Sequence, residues 1–433
     1  MTTLKKLSKF QTVISQIKNN NYDIALELLS NIDSNLDEKY IENKLYGSIY
    51  FKKKEWLKSI KYFNRVLKIN EKDIVVLNNI GVASFNIGKL SDAIFFFKKL
   101  SSYENNSVNS LKSLGITYKN IGNYKKAIEY FLKILDIKSN DNSIKQNLID
   151  IFNFYIPNQT ENNYLIKLNK EILNLNRALK IKEPINLEFI NNFINQNLIK
   201  LDNLSLEYKE TQIFRRNEIN LNCDRHFKVF NEHKIIPKYC FNCYKIQIDL
   251  KNVVDLIKLF FIFNIVKLEN NNIRKCIVET RRNVSGNYKG YIFCTGLDEA
   301  KKNIKLISEE IKKSAIIPRK IIIKHGCTEF YKEYPEYEKI NYKGEQKFQY
   351  LNEWQEKEDL IDKSLNKNNV NDEKIVGPTI NQITLSDILI IKNWMAYAKL
   401  IGDKSLSEIF SEEINSDYIN ELIKDQIIFR KNN

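Results

Sequence analysis

A period of 34 residues runs through the first third of the chain and constrains its fold more than any other feature. Glycines recur at this interval, at Gly47, Gly81 and Gly115 and again at Gly88 and Gly122. Two further sets of equivalent positions, called columns below, recur at the same interval. One column is Ala25, Ser59, Ala93 and Ala127, and the other is Leu29, Phe63, Phe97 and Phe131. A fixed period of this length is typical of stacked units that each pack on their neighbours. Four units fit in one register between roughly residues 6 and 141.

The third and fourth units read NNIGVASFNIGKLSDAIFFFKKL and LKSLGITYKNIGNYKKAIEYFLKIL. A small residue on a first helix, followed by alanine and an aromatic residue on a second, resembles the tetratricopeptide repeat family. The resemblance implies αα-hairpins that stack into a curved solenoid, and residues 142–180 are expected to add a degenerate capping unit. Three features depart from the family pattern: Ser84 at an aromatic position, Lys54 in place of a turn glycine, and the lack of a closing proline.

The resemblance also implies that the first helices line the concave side of the solenoid, and that this side binds peptides or partner proteins. Projecting the register onto that side gives a polar set, which is Lys44, Ser48, Asn78, Asn79, Asn86, Lys112 and Lys119. Amide and ammonium groups suit an extended acidic or carboxylate-terminated segment, because both donate hydrogen bonds to its oxygens. Two alternatives stay open: these residues are only a solvated face, or the groove holds part of the same chain.

The hydrophobic pattern changes in the middle of the chain. Strands are expected at 244–250, 273–282, 288–294 and 318–327, and helices at 252–266 and 297–314. The order βαββαβ is that of the ferredoxin-like family of folds. Right-handed crossovers then predict one antiparallel sheet in the order 4-1-3-2, with both helices on one face. In this topology the start of the first strand lies beside the end of the fourth, and Cys276 falls nearly opposite Cys294.

Three regions follow from these patterns. We expect residues 1–183 to form a tetratricopeptide-like solenoid with its capping unit, and 184–330 to form a basic α+β domain. Residues 331–433 are expected to supply an aromatic-rich segment, a linker and C-terminal helices that pack on the α+β domain. The chain has a net charge of +15, and 204–330 alone holds 24 basic and 14 acidic side chains. This surplus favours acidic partners such as nucleic acid or acidic peptides.

The sequence shows no secretory signal, and its longest apolar stretch, residues 253–266, is too short and too charged to span a bilayer. Six cysteines without an export signal indicate reduced thiols, so a cytoplasmic protein with no membrane partner is expected. No nucleotide-binding glycine loop, HExxH or GxSxG motif is present. A binding role is therefore favoured, and an enzymatic activity is left open.

The cysteines and histidines are concentrated in one part of the chain. Cys223 and His226 are followed by Cys240 and Cys243, with 13 residues between the two pairs. Two close pairs with a loop between them are typical of structural zinc, which takes four thiolate or imidazole ligands. These four residues therefore predict a zinc site.

Two further residues bear on this prediction. The strand order places His325 and Cys327 near Cys240 and Cys243, so both offer replacement ligands. Free cysteine is also among the most buried residue types, so inert core thiols are an alternative. A redox or nucleophilic cysteine is a third interpretation.

The third expected strand carries KGYIFCTG, which resembles the RNP1 motif of RNA-recognition domains. Lys289, Tyr291 and Phe293 occupy matching positions, and alternation along a strand puts them on one face of the sheet. If helices cover the other face, two aromatic rings are open for base stacking. The basic residues that would flank this face for phosphate contact include Arg281 and Arg282. The alternative is that the rings are packed within the protein.

Three functions are consistent with the sequence. The first is a non-enzymatic adaptor, in which the solenoid binds a protein partner and carries the basic α+β module that contains the candidate zinc ligands. The second is RNA binding by the sheet of that module. The third is a metal- or cysteine-dependent enzyme, of the transferase kind, whose solenoid selects the substrate. The adaptor is favoured, because the repeats are the most specific signal in the chain.

Overall fold

The structure is a computed structural model that describes residues 9–36, 38–157, 163–178, 181, 184–201, 204, 206, 208–216, 221, 223–270, 272–366, 379–415 and 417–431. The chain divides into two compact units. One comprises Met1–Ile144 with Leu365–Lys374, and the other comprises Lys145–Ser364 with Ile375–Asn433.

The first unit contains four αα-hairpins among its described residues. Their helices are α1 (Gln11–Lys18) and α2 (Tyr22–Ser30), α3 (Lys39–Lys52) and α4 (Trp56–Ile69), α5 (Ile74–Asn86) and α6 (Leu90–Tyr103), and α7 (Val108–Ile121) and α8 (Tyr124–Ile137). The two helices of each hairpin pack on each other, and each hairpin packs on the next. The predicted fourfold helical repeat is confirmed.

The turn inside each hairpin falls on one column of the 34-residue period. The residues of this column all have positive φ: Asn20 (62°), Lys54 (60°), Gly88 (76°) and Gly122 (89°). In each hairpin the next N–H donates to a carbonyl five residues earlier, as from Lys89 to Ser84 at 2.9 Å. This arrangement ends a helix with a left-handed residue, which glycine adopts without the steric cost of a Cβ.

A second column of the period sets how closely the paired helices approach. A Cβ built on Gly81 would lie 2.5 Å from a ring carbon of Phe97 on the partner helix. The same distance separates Gly47 from Phe63 and Gly115 from Phe131. Any side chain at these glycines would therefore displace the phenylalanine ring that fills the space between the helices.

Beyond α8 the described residues form further helices and the strands of one five-stranded sheet. The helices are α9 (Asn142–Phe152), α10 (Tyr164–Ala178), α11 (Leu187–Leu198), α12 (Cys223–His233), α13 (Val253–Ile265), α14 (Leu297–Lys313), α15 (Gln355–Asn366), α16 (Leu385–Ile401) and α17 (Asp417–Lys431). The strands are β1 (Gln212–Arg215), β2 (Tyr244–Leu250), β3 (Arg274–Val278), β4 (Tyr288–Cys294) and β5 (Lys320–His325). The segment between β5 and α15 forms short 3-10 turns.

The sheet is antiparallel, with strand order β1-β3-β4-β2-β5. The four strands expected from the sequence lie in the predicted order, and β1 adds an unpredicted edge strand beside β3. One detail of the predicted register is wrong. Cys276 pairs with Gly290, whereas Cys294 pairs with Tyr244 on the other neighbouring strand. The two cysteines are therefore not opposite each other.

Helices α13 and α14 both contact β2 and β4, and α13 also contacts α16. Gly290 on β4 makes the close approach of α13 possible, since a Cβ there would lie 2.3 Å from Leu259. Trp394 of α16 is fully buried, and its indole N–H donates to the Thr211 carbonyl at 2.8 Å. Tyr397 packs edge-on against Tyr288 of β4. Helix α16 thus packs on β1 and α13 in the second unit.

Candidate functional site

A groove of about 450 Å³ opens on the first unit between α5 and α7, the first helices of successive hairpins. Ile74, Val75 and Asn78 line it from α5. The remaining lining residues are Leu100, Glu104, Asn109, Lys112, Ser113 and Ile116. Ile74 and Val75 are 43% and 52% exposed, so an apolar surface is available to a ligand. We call this the α5–α7 groove.

The α5–α7 groove contains two of the seven residues predicted for the concave face, Asn78 and Lys112. The Lys112 ammonium donates to the Ser143 hydroxyl at 3.2 Å. Asn79 and Lys119 are half-buried on the same two helices and do not line this groove. The Ser48 hydroxyl and the Asn86 amide each donate to a carbonyl one turn earlier on their own helix.

Lys44 has a role within the repeats. Its ammonium lies 2.6 Å from the Asp73 carboxylate, which also accepts a hydrogen bond from Tyr40. Asp73 is the N-cap of α5 and accepts from the Val76 N–H at 3.1 Å. Burial opposes ionisation of Asp73, but the hydrogen bonds from Lys44 and Tyr40 outweigh it and hold the pKa of Asp73 below its usual value. Lys44 therefore ties the second hairpin to the third.

Four cysteines of the second unit lie near enough for their thiols to shift one another's pKa. They are Cys223, Cys240, Cys243 and Cys327, called the four-cysteine cluster below. The interaction between the Cys240 and Cys327 side chains raises the pKa of Cys240 and lowers that of Cys327. Burial raises the pKa of Cys243 to about 12 and that of Cys223 to about 11. These two thiols are therefore protonated near neutral pH.

The four predicted zinc ligands do not all belong to one cluster in the structure. Three of them belong to the four-cysteine cluster, whereas the ring of the fourth, His226, stacks on Tyr239 with centroids 5.0 Å apart. Burial lowers the pKa of His226, so the imidazole is neutral at physiological pH. As placed, no three His, Cys, Asp or Glu residues of the described chain could together hold a metal ion.

The sheet face predicted to stack bases is largely covered. Lys289 is buried and lies 3.3 Å from the Glu279 carboxylate. Tyr291 is only 9% exposed, and the ammonium groups of Lys245 and Lys275 lie 5.7 and 5.2 Å from its ring centroid. The expectation of an open face is therefore wrong at Lys289 and Tyr291, because long side chains of the neighbouring strands cover the ring. Phe293 is half-buried.

The two predicted phosphate-contacting arginines have protein partners. The Arg281 guanidinium donates to Glu279 at 2.8 Å, and this hydrogen bond raises the pKa of Arg281. Arg282 lies over the ring of Phe429, 5.9 Å from its centroid. Both side chains are thus engaged with their own chain in the described structure.

Two solved structures illustrate what part of the chain is similar to. Among solved structures, MamA from strain AMB-1 is similar to 34% of this chain, over 81% of its own, at 18% identity and a TM-score of 0.31. MamA from Desulfovibrio magneticus RS-1 is similar to 31% of this chain, over 77% of its own, at 17% identity and a TM-score of 0.29. No curated protein sequence matches the chain.

A sequence profile of the tetratricopeptide repeat matches residues 112–141, which contain most of α7 and all of α8. The three hairpins before it share its 34-residue spacing and its turn, and the second and third also share its glycine-to-phenylalanine contact. The helical repeats are tetratricopeptide repeats. Their groove includes residues that the sequence pattern did not single out, namely Ile74, Val75, Leu100, Glu104, Asn109, Ser113 and Ile116.

The tetratricopeptide pattern could not reveal these residues, because it marks the columns where helices pack and leaves the exposed columns free to vary. One local signal was available: Ile74 and Val75 are adjacent apolar residues in the first turn of α5, and a helix that has one side in the protein core cannot bury two adjacent residues there.

Among the described residues, none of the helices has both the length and the hydrophobicity that crossing a membrane requires.

Proposed function

We propose that the protein is an interaction scaffold, whose tetratricopeptide repeats bind an extended segment of another protein in the α5–α7 groove. The observation that carries the proposal is the composition of that groove, in which exposed Ile74 and Val75 lie beside Asn78 and Lys112. Apolar side chains of a ligand would gain affinity by burial against the first pair. The second pair would donate hydrogen bonds to ligand oxygens.

The proposed ligand is an acidic or carboxylate-terminated peptide with an apolar residue beside the charge. Lys112 supplies a charge-assisted hydrogen bond to a carboxylate, which contributes more than a neutral one. Amide groups such as Asn78 and Asn109 both donate and accept, so they can pair with a peptide backbone. Glu104, which also lines the groove, would repel a second acidic group placed near it, and this limits where the ligand's charge can lie.

RNA binding is not proposed for the sheet, because the ring that would stack on a base is covered by Lys245 and Lys275. We infer instead that the second unit is a module of ferredoxin-like topology extended by β1. The strand order and the position of α13 and α14 on β2 and β4 support this inference.

The experiment is peptide binding to the full chain, measured by fluorescence anisotropy with a library of acidic C-terminal peptides. Lys112→Glu should weaken the best binder by roughly 10- to 100-fold, as expected for loss of a hydrogen bond between charged groups. The matched control is Lys125→Glu, the same charge change at an exposed position of α8. Equal loss with both variants, or no binding by any peptide, would contradict the proposal.

A further inference from the structure

The two helices that pack on the central strands of the sheet, α13 and α14, lie on the same face of it. A Cβ built on Gly290 of β4 would lie 2.3 Å from Leu259 of α13. The Asn303 amide of α14 donates to the Cys294 sulfur at 3.6 Å. Gly290 and Cys294 point to one side of β4, because side chains along a strand alternate. Tyr291 therefore points to the opposite side.

Three lysines lie on this opposite face, and they are Lys245 of β2, Lys275 of β3 and Lys324 of β5. We call them the three-lysine cluster. Lys275 pairs with Tyr291, and Lys324 pairs directly with Lys245. The ammonium groups of Lys245 and Lys275 lie 5.7 and 5.2 Å from the centre of the Tyr291 ring. The register of four strands thus brings the three side chains to one part of the sheet.

The chain leaves the charge of this cluster uncompensated. Among the described residues, none of the three ammonium groups has a carboxylate within 4 Å. Lys245 donates to the Gly326 carbonyl at 2.8 Å, and Lys275 donates to the Gln212 amide oxygen at 3.3 Å. Both of these acceptors are neutral. All three lysines are half-buried, so water screens their charges less than it would on an open surface.

This arrangement costs stability in the absence of a ligand. Lys245 and Lys324 are directly opposite each other, and like charges in that relation destabilise an antiparallel pair of strands. Burial also lowers the pKa of Lys245 to about 8 and lowers that of Lys275. An anion bound between the side chains would relieve both costs.

We propose that the three-lysine cluster binds the phosphate group of a small phosphate monoester. All the cations of the cluster are lysines, whose ammonium groups bind phosphate as point charges, whereas the planar carboxylate is matched by the forked guanidinium of arginine. A monoester carries a charge of about −1.5 to −2 at neutral pH. That charge offsets the repulsion among three ammonium groups better than the single charge of a phosphodiester.

The position of the lysines favours a small ligand over a nucleic acid. Lys245 and Lys275 cover the ring of Tyr291, so the cluster can contact phosphate oxygens, but the ring cannot stack on a base. Glu329 attracts both of these lysines without contacting either. Because it would repel a bound anion, Glu329→Gln should tighten binding by several-fold.

The test is calorimetric titration of the full chain with inorganic phosphate and with glycerol 3-phosphate, at constant ionic strength. Saturable binding of one molecule per chain is expected. Lys245→Met should weaken it by roughly 10- to 100-fold, the range for loss of a hydrogen bond between charged groups. The matched control is Lys305→Met, at an exposed position of α14 on the other side of the sheet, which should bind as the wild type does. Absence of saturable binding, or equal loss in both variants, would overturn the proposal.

A second measurement needs no variant and guards against a misfolded Lys245→Met chain. Brief acetylation of the wild type, read by mass spectrometry, should modify Lys245, Lys275 and Lys324 more slowly when glycerol 3-phosphate is present. Lys305 should react equally with and without it. Unchanged acetylation of the cluster would contradict the proposal.

Single-stranded RNA is the competing ligand and is tested in the same titration. The proposal expects RNA to bind no more tightly than glycerol 3-phosphate on this face. RNA that binds more tightly, displaces glycerol 3-phosphate and loses affinity in Lys245→Met would assign the cluster to nucleic acid instead.

Discussion

Gly81 on α5 and Phe97 on α6 pack so closely that a Cβ on the glycine would lie 2.5 Å from the phenylalanine ring. Both residues are fully or almost fully buried, and the contact recurs in the hairpins before and after. The spacing of the paired helices is therefore set by the missing side chain at one position and the ring at another.

Gly81→Ala should destabilise the repeats by about 1 to 3 kcal/mol, the usual cost of forcing an extra carbon into a packed core. Urea unfolding of the full chain, followed by circular dichroism, measures this loss. Adding Phe97→Leu should restore part of it, because the smaller side chain vacates the space that the new methyl needs. A double variant that is less stable by the sum of the two single losses would show that the contact does not set the spacing.

Lys54→Gly should stabilise the repeats by roughly 0.5 to 1 kcal/mol. The steric strain of lysine at φ 60° in the folded state is larger than the free energy that the greater conformational entropy of glycine gives to the unfolded chain. The reciprocal change, Gly88→Lys, should destabilise them by a similar amount. Nothing lies within 4 Å of a Cβ at Gly88, so the effect of that change reports backbone strain and not a clash. Thermal melting of the two variants beside the wild type checks both signs.

The repeats could be predicted from the sequence because helix contacts fall on fixed columns, and the anomaly at Lys54 was visible as a departure from the glycine column. The strand order also followed from the alternation of elements. The edge strand β1 could not be predicted, because four residues are too few to show an alternating pattern and because the strand pairs with β3 alone. The covered ring of Tyr291 depends on lysines from two other strands, and a linear pattern does not report such contacts.

Asp73→Asn should flatten the acid dependence of the repeats. The pKa of the wild-type carboxylate is lowered in the folded state, so its stabilising contribution is present above the ordinary aspartate pKa and is lost as pH falls through the folded value. Asparagine keeps the N-cap of α5 but has no charge to pair with Lys44. The measurement is hydrogen exchange of α5 amides between about pH 5 and 3. Identical pH slopes in the variant and the wild type would refute the role of this pair.

A buried ion pair joins β1 to α16, and breaking it should be costly. Arg215 and Asp387 lie 2.9 Å apart with side chains 2% and 1% exposed. Arg215→Met leaves a buried carboxylate without its partner, so a loss of about 3 to 5 kcal/mol is expected. Chemical denaturation measures it. Adding Asp387→Asn should recover part of the loss, because the amide oxygen still accepts the Thr384 N–H that caps α16; no recovery would mean that the charge is not the cause.

The most direct test of the scaffold account is photo-crosslinking in cells from benzoylphenylalanine placed at Val75 or Asn109, on opposite helices of the α5–α7 groove. The same residue at the exposed Lys125 on α8 is the control. The account predicts that positions 75 and 109 crosslink to one shared segment of another protein, and that position 125 does not reach it. Crosslinks that land only within this chain, or that form equally from position 125, would contradict it.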